Sequence, residues 1–215
     1  MCFNIHLQDN VATFTEEVNA LFKQAGCQPR YHIDCFASPS IDTLCEAFTA
    51  LGYQVERDLD IVMSCDYKSI CRDTRMLPPG YRSAHRSDLE ALVRVFFEAN
   101  HYPGTDDWLR KKLTKQMDDP TAFRLFVMEV EGEVVCGVIL FTPPGLPHLG
   151  HVSGVATLPE HQRKGLAAGC LKQALMETCC PDQRFYLDSY DDLVHAHRMY
   201  EKIGFQSHGF METAV

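Results

Sequence analysis

The stretch Val155-Ala156-Thr157-Leu158-Pro159-Glu160-His161-Gln162-Arg163-Lys164-Gly165-Leu166-Ala167 decides how the rest of the chain is read. It begins as a strand and stops at Pro159, which cannot donate to a sheet ladder. A loop holding Gln162, Arg163, Lys164 and Gly165 then opens into a helix. Small residues at Gly165, Ala167 and Ala168 let backbone N–H groups come close to a ligand. A helix N-terminus presents unpaired N–H donors and the positive end of a dipole, which suits phosphate, and Arg163 and Lys164 add charge. By physics alone the segment reads as a pyrophosphate cradle or as an ordinary strand–loop–helix turn with a basic surface. The GxxxxGK[ST] and GxGxxG spacings of other phosphate-binding loops are absent from it.

Outward from this loop the signals alternate. Downstream, residues 165–178 form a helix pattern with Leu166, Cys170, Leu171, Ala174 and Leu175 on one face. A short strand follows over 184–188, then a helix over 193–203 ended by Gly204 as C-cap, then a strand over 210–214. Upstream, Pro143-Pro144-Gly145 breaks the chain, and Glu131-Gly132-Glu133 reads as the turn of a hairpin between strands 123–129 and 134–141. Two helices precede it, 87–99 and 106–117, the first with Ser87 as N-cap and Glu90 at the third helical position. A strand over 81–84 opens the series. The order β-α-α-β-β-β-α-β-α-β makes the class mixed α/β.

Two motifs in this layout carry a resemblance. Gln162-x-x-Gly165-x-Ala167 matches the [RQ]-x-x-G-x-[GA] pattern that binds acyl-CoA in the GNAT superfamily of N-acetyltransferases. Further on, Ala196-His197-Arg198-Met199-Tyr200-Glu201-Lys202-Ile203-Gly204-Phe205 resembles that family's closing helix and its A-x-x-x-Y-E-K-x-G-F signature. The resemblance covers about residues 80–215. It implies a mixed sheet splayed between two strands and flanked by helices, with acetyl-CoA as co-substrate in the splay. It implies that main-chain groups of Val155, Ala156 and Thr157 pair with the pantetheine and acyl carbonyl. The pyrophosphate would rest on the amides from Arg163 through Lys164, Gly165, Leu166 and Ala167 to Ala168, behind Gln162. Tyr200 falls where the family places a tyrosine near the CoA sulfur, and a phenol with a pKa of about 10 can protonate a departing thiolate. Taken as a residue of its helix alone, Tyr200 is equally a core-facing aromatic on the stripe Leu193, Ala196, Tyr200, Ile203.

The base stays open. His151 begins the splayed strand, where some members carry a glutamate base, and Asp188 ends the next strand, where others carry an acidic one. A polar strand-end histidine and a capping aspartate are the plainer readings. His195 and His197, at i and i+2, do not share a helix face and read as surface residues. Many members have an asparagine seven residues before the tyrosine. Here that position is Leu193, which puts one cofactor contact in doubt and leaves room for a non-catalytic acyl-CoA-binding regulatory module. The acceptor implied is a primary amine, on a small molecule or a peptide. Glu98, His101, Tyr102, Trp108, the loop 143–148 and the N-terminal segment are the places to read it.

Residues 1–76 echo the C-terminal end. Arg30-Tyr31-His32-Ile33-Asp34 resembles Arg184-Phe185-Tyr186-Leu187-Asp188, and the spacing of Ile41, Leu44, Phe48, Leu51, Gly52 and Tyr53 follows that of Leu193, Ala196, Tyr200, Ile203, Gly204 and Phe205. With a helix over 14–24 and a strand over 61–65, the piece reads α-β-α-β, a degenerate half-GNAT segment or a chance likeness of amphipathic units. Phe48 stands at the tyrosine position and has no proton to give, so the segment's role is structural. The boundary falls at Cys71–Met76 before Leu77-Pro78-Pro79-Gly80, dividing 1–76 from a GNAT domain at 77–215.

Composition sets outer limits. The 215 residues, 46% hydrophobic and 23% charged, are those of a globular protein, and the net charge of −9 argues against a nucleic-acid partner. No apolar run reaches the roughly 18–20 residues of a membrane span, and MCFNIHLQDN lacks the features of a secretory signal, so a cytoplasmic protein with no membrane partner is expected. The ten cysteines include no CxxC pair, so no metal is expected and the thiols read as reduced. A homodimer is compatible with the sequence.

Overall fold

The computed structural model describes residues 10–24, 26, 29, 31, 33, 40–70 and 79–214. At its centre the two-residue turn Glu131-Gly132, with φ of 54° and 85°, joins β3 (Phe123–Val130) to β4 (Glu133–Phe141). Two successive left-handed residues match the twist of a tight hairpin, and glycine supplies the second without strain. The antiparallel register runs from Phe123↔Phe141 to Val130↔Glu133. β4 is buried from Val134 to Leu140, on both of its faces, and so reads as a continuous apolar run.

Around the hairpin the strands fall in the order β2-β3-β4-β5-β6-β1-β7. Here β2 is Tyr81–Ser83, β5 Leu149–Thr157, β6 Arg184–Tyr190, β1 Arg57–Asp66 and β7 Gln206–Ala214. β2, β3, β4 and β5 are antiparallel in turn, and β6 runs parallel to β5. The sheet is therefore mixed. Helices flank it. α3 (Leu89–Ala99) covers the face on which Gly137 and Gly154 lie, where an added Cβ would meet Leu92 and Phe96. α5 (Leu166–Thr178) covers the opposite face, packing by Cys170, Leu171, Ala174 and Leu175. α4 (Asp107–Met117) packs by Leu109 and Leu113, and α6 (Val194–Ile203) by Tyr200 and Ile203.

The start of α3 differs from the sequence reading. Ser87 is not its cap. A single 3-10 turn, Arg86–Asp88, comes first, and the His85 N–H donates to Asp88 Oδ2 at 2.6 Å. Arg82 Nη1 and Nη2 donate to the two Asp88 oxygens at 2.6 and 2.9 Å. A charge-assisted bidentate pair outweighs a serine hydroxyl, and Arg82 reaches Asp88 from β2, out of range of local sequence reasoning. The same guanidinium holds the Asp88 carboxyl below the usual carboxylate range.

The described chain falls into two compact units. The larger comprises Met63–Leu187 and Val194–Ser207, the smaller the chain up to Val62 with Asp188–Leu193 and His208–Val215, so the line passes through β1, β6 and β7. The smaller unit holds α1 (Val11–Gln24) and α2 (Ile41–Ala50) around Leu44, Phe48, Tyr31 and Ile33. The Tyr31 ring lies 4.9 Å from that of Phe48 and 5.5 Å from that of Tyr53, so Phe48 serves here as a packed core aromatic. Ile33 makes a bridge with Ala214, exchanging two 2.8 Å hydrogen bonds. The rest of the strand expected over 30–34, and the boundary expected near 71–78, lie outside the described residues.

Candidate active site

β5 and β6 begin as neighbours and part. Their parallel pairs are Leu149↔Arg184, Gly150↔Phe185 and His151↔Tyr186, and among the described residues there are no further ones. β5 continues to pair with β4 as far as Thr157↔Cys136. A register shift between Ile139 and Leu140 leaves Ser153 opposite no partner, a bulge that turns the strand where the two separate. Gly150 is needed just before the parting, because a Cβ there would fall 2.4 Å from the Phe185 ring. Beyond His151 the edge of β5 that faced β6 has no strand partner among the described residues, and Val155, Ala156 and Thr157 line a cleft of about 410 Å³.

The loop after β5 is shaped by its own hydrogen bonds. The His161 N–H donates to Leu158 O at 2.8 Å within the 3-10 turn Pro159–His161. Gln162 Nε2 donates to Thr157 O at 3.1 Å and ties the loop to the strand end. Arg163 and Gly165 are left-handed, with φ of 58° and 78°. A Cβ on Gly165 would meet nothing within 4 Å, so the glycine is there for its backbone and not for room. The first helical bond runs from the Gly169 N–H to Gly165 O at 3.0 Å. The N–H groups of Leu166, Ala167 and Ala168 are then the orphan donors of α5. Those three residues line the cleft together with Gln162, Arg163 and Gly165, while Lys164 is exposed and does not. A cleft with a helix dipole, three free amides and one guanidinium at its mouth fits an elongated phosphate-bearing molecule such as acetyl-CoA.

The far wall is α6. Tyr200 is 9% exposed and lines the cleft, its ring set edge-on to Phe205 at 5.8 Å. Its burial is that of the helix stripe, and the same residue borders the cleft. His195, Ala196 and Met199 line the same wall. The two histidines read as surface residues separate: His195 faces the cleft, whereas His197 is buried. His161 is a further lining residue that sequence reasoning passed over, and its Nδ1 is buried without a hydrogen-bond partner among the described residues. His151 and Asp188 are not among the lining residues. His151 lies opposite Phe141 and Tyr186, on the α3 face of β5, and Asp188 is exposed on β6 in the smaller unit.

Thiols are held neutral by burial: Cys65 is pushed up to about 12 and Cys179 to about 11. Among the described residues no group of three His, Cys, Asp or Glu side chains could hold a metal ion. No helix among them is long and apolar enough to cross a membrane.

A mixed sheet opened between two parallel strands and flanked by helices is the architecture of an acetyltransferase. A model of the acetyltransferase (GNAT) family matches residues 88–205, more than half of the chain, and the chain belongs to that family. Among curated proteins none matches the sequence. Solved structures share the fold. A functionally unknown conserved protein from Staphylococcus epidermidis superposes with a TM-score of 0.66 at 14% identity, over 99% of this chain and 82% of that one. A GCN5-related N-acetyltransferase from Kribbella flavida does so with a TM-score of 0.61 at 15% identity, over 98% and 77%. For a GNAT-family protein from Novosphingobium aromaticivorans the TM-score is 0.58 at 21% identity. Those 75% of this chain span only 65% of that one.

Proposed function

We propose that this chain is an N-acetyltransferase that moves an acetyl group from acetyl-CoA directly to a primary amine. The observation that carries the reading is the cleft where β5 leaves β6. It is bounded at once by bare β5 main chain, by the N-terminal amides of α5 and by the Tyr200 ring. In this reading the Leu166, Ala167 and Ala168 amides and Arg163 take the pyrophosphate, and Gln162 keeps the loop in place. The edge of β5 at Val155–Thr157 hydrogen-bonds the pantetheine arm and steadies the oxyanion as the amine nitrogen attacks the thioester carbon. The C–N bond forms, the C–S bond breaks, and Tyr200 gives its hydroxyl proton to the departing sulfur. The amine must lose a proton, and His151 and Asp188 are the candidate acceptors for it, directly or through water. His151 is on the α3 face of β5, opposite to the face covered by α5. An amine approaching over that face would not have to displace the phosphates.

Tyr200→Phe tests the assignment. It should lower kcat about 100-fold, the scale of a lost general acid, with acetyl-CoA affinity unchanged. A variant that keeps full kcat would remove Tyr200 from the mechanism. The exposed Leu193, where many members carry an asparagine, favours a second reading as an acyl-CoA-binding regulatory module. Tight acetyl-CoA binding with no turnover across a panel of amines would favour that module over the enzyme.

A further inference from the structure

The end of β1 is seated on the helix that carries Tyr200. Asp66 closes that strand, and its side chain builds the turn that follows. Asp66 Oδ1 accepts the Lys68 N–H at 3.0 Å, the Ser69 N–H at 2.8 Å and the Ser69 hydroxyl at 2.8 Å, and Asp66 O accepts the Ile70 N–H at 3.2 Å. An aspartate that takes the backbone N–H groups two and three residues on fixes a tight turn. The Ser69 hydroxyl and N–H hold the Asp66 carboxyl below the usual carboxylate range, so it accepts as an anion at neutral pH. Ile70, the next residue, is buried and anchors the far side of the turn.

The turn sets the Ser69 carbonyl against Gly204, just past the end of α6. A Cβ on Gly204 would fall on Ser69 O, 2.6 Å from Ser69 C and 3.2 Å from Ile70 N, and the glycine has a φ of 123°. Room and backbone both demand glycine here. Gly204 is tied in turn to Tyr200. The Gly204 and Phe205 N–H groups donate to Tyr200 O at 3.1 and 3.0 Å, and the buried Phe205 ring lies edge-on to that of Tyr200. Direct contacts therefore run from Asp66 through Ser69 and the Gly204-Phe205 pair to the Tyr200 ring. All of these residues belong to the larger unit. Asp66 and Ser69 lie outside the 88–205 stretch that matches the family, so the match does not supply this contact.

We propose that Asp66 is a positioning residue for Tyr200. By locking Ser69 against Gly204 it fixes the last turn of α6, and with it the aim of the phenol at the departing sulfur. The proposal rests on the acyl-transfer reading above, with Tyr200 as the acid. Asp66 is not among the residues lining the cleft, so its effect falls on kcat and not on the binding of acetyl-CoA.

The test is Asp66→Ala in the full chain, alone and combined with Tyr200→Phe, with Asp66→Asn as the conservative variant. Asparagine keeps an oxygen for the Lys68 and Ser69 N–H groups, and alanine keeps none. Asp66→Ala should lower kcat about tenfold, as a displaced catalytic group does, with acetyl-CoA affinity unchanged by isothermal titration. Asp66→Asn should recover most of that loss. In the Tyr200→Phe background Asp66→Ala should cost nothing further, because the group it aims is gone. Hydrogen exchange of isotope-labelled glycine amides reads the seat without turnover. Asp66→Ala should speed exchange at Gly204 about tenfold relative to Gly169 on α5, and Tyr200→Phe should leave both as they were. Equal kcat losses in the two backgrounds, or exchange that rises equally at Gly169, would overturn the proposal, since a fold loosened throughout does the same. Unmoved Gly204 exchange, with kcat lost in Tyr200→Phe alone, would overturn the positioning role and leave the general acid standing. Faster Gly204 exchange with full kcat in both single variants would overturn the acid reading and the proposal with it, leaving only a structural seat.

Discussion

Replacing Gly154 by alanine probes how α3 is seated on the reaction strand. The new Cβ would stand 2.9 Å from Phe96 Cε1, 3.4 Å from Cζ and 3.5 Å from Ile139 Cδ1. Carbon atoms pack best about 3.5–4.0 Å apart, so the ring has to withdraw by roughly half to one ångström. It has little room to move along the sheet. The same ring lies 2.9 Å from where a Cβ on Gly137 would be, and Leu92 Cδ2 already lies 2.7 Å from that point. The ring must lift, and buried Phe96 takes α3 with it. Overpacking of this kind costs about 1–3 kcal/mol. At about 2–4 °C per kcal/mol for a chain of this size, a cost near 2 kcal/mol lowers Tm by about 4–8 °C. Circular dichroism melts and urea titrations would measure both figures. Phe96→Leu in the Gly154→Ala background should return about 1 kcal/mol as a coupling energy, because a smaller, more flexible side chain relieves the clash. Gly132→Ala is the control. Its φ is 85° and its Cβ would touch nothing within 4 Å, so it should cost about 1 kcal/mol through the backbone alone and show no coupling to Phe96→Leu. A Gly154→Ala protein as stable as its parent, or additive with Phe96→Leu, would refute the seating described.

Two other outcomes follow from electrostatics and burial. Asp88 ionises below its unfolded value of about 3.9 because Arg82 pairs with it, so the pair stabilises the fold above about pH 4 and loses its effect as pH falls through the folded value. Asp88→Asn should cost about 2 kcal/mol at neutral pH, discounted for the partly exposed arginine, and the gap to the parent should close on acidification; a gap constant with pH contradicts the pairing. Cys180 is exposed, whereas burial holds Cys65 near 12 and Cys179 near 11, so Cys180→Ser should remove one thiol from the fast phase of labelling by Ellman's reagent at pH 8. An unchanged fast phase would contradict the assigned exposure.

What could be read from the sequence was what is local. The loop from Gln162 to Ala168 is a strand stop, a left-handed glycine and a helix start, each set by neighbours a few residues away. The Glu131-Gly132 hairpin and the Gly204 C-cap, at φ 123°, are local in the same sense. What escaped depends on distant partners. Ser87 looked like a cap because the Asp88 carboxylate, which takes the His85 N–H instead, is held by Arg82 from another strand. His161 and His195 are far apart in sequence and meet at one cleft only because β5 and β6 part after His151. That parting turns on a bulge at Ser153 and on Phe185 lying over Gly150, neither of which alternation of residue types reveals. His197 read as exposed because the turn of α6 toward the core is set by packing and not by its own polarity.

The most direct measurement is an isothermal titration of the full chain with acetyl-CoA, set against Ala167→Glu, which places a carboxylate among the α5 amides. The account predicts saturable binding at one site per chain, lost or greatly weakened in the variant, since a helix N-terminus that holds phosphate repels an added anion. Absence of binding at millimolar acetyl-CoA, or binding that Ala167→Glu leaves unchanged, would contradict the assignment of this cleft.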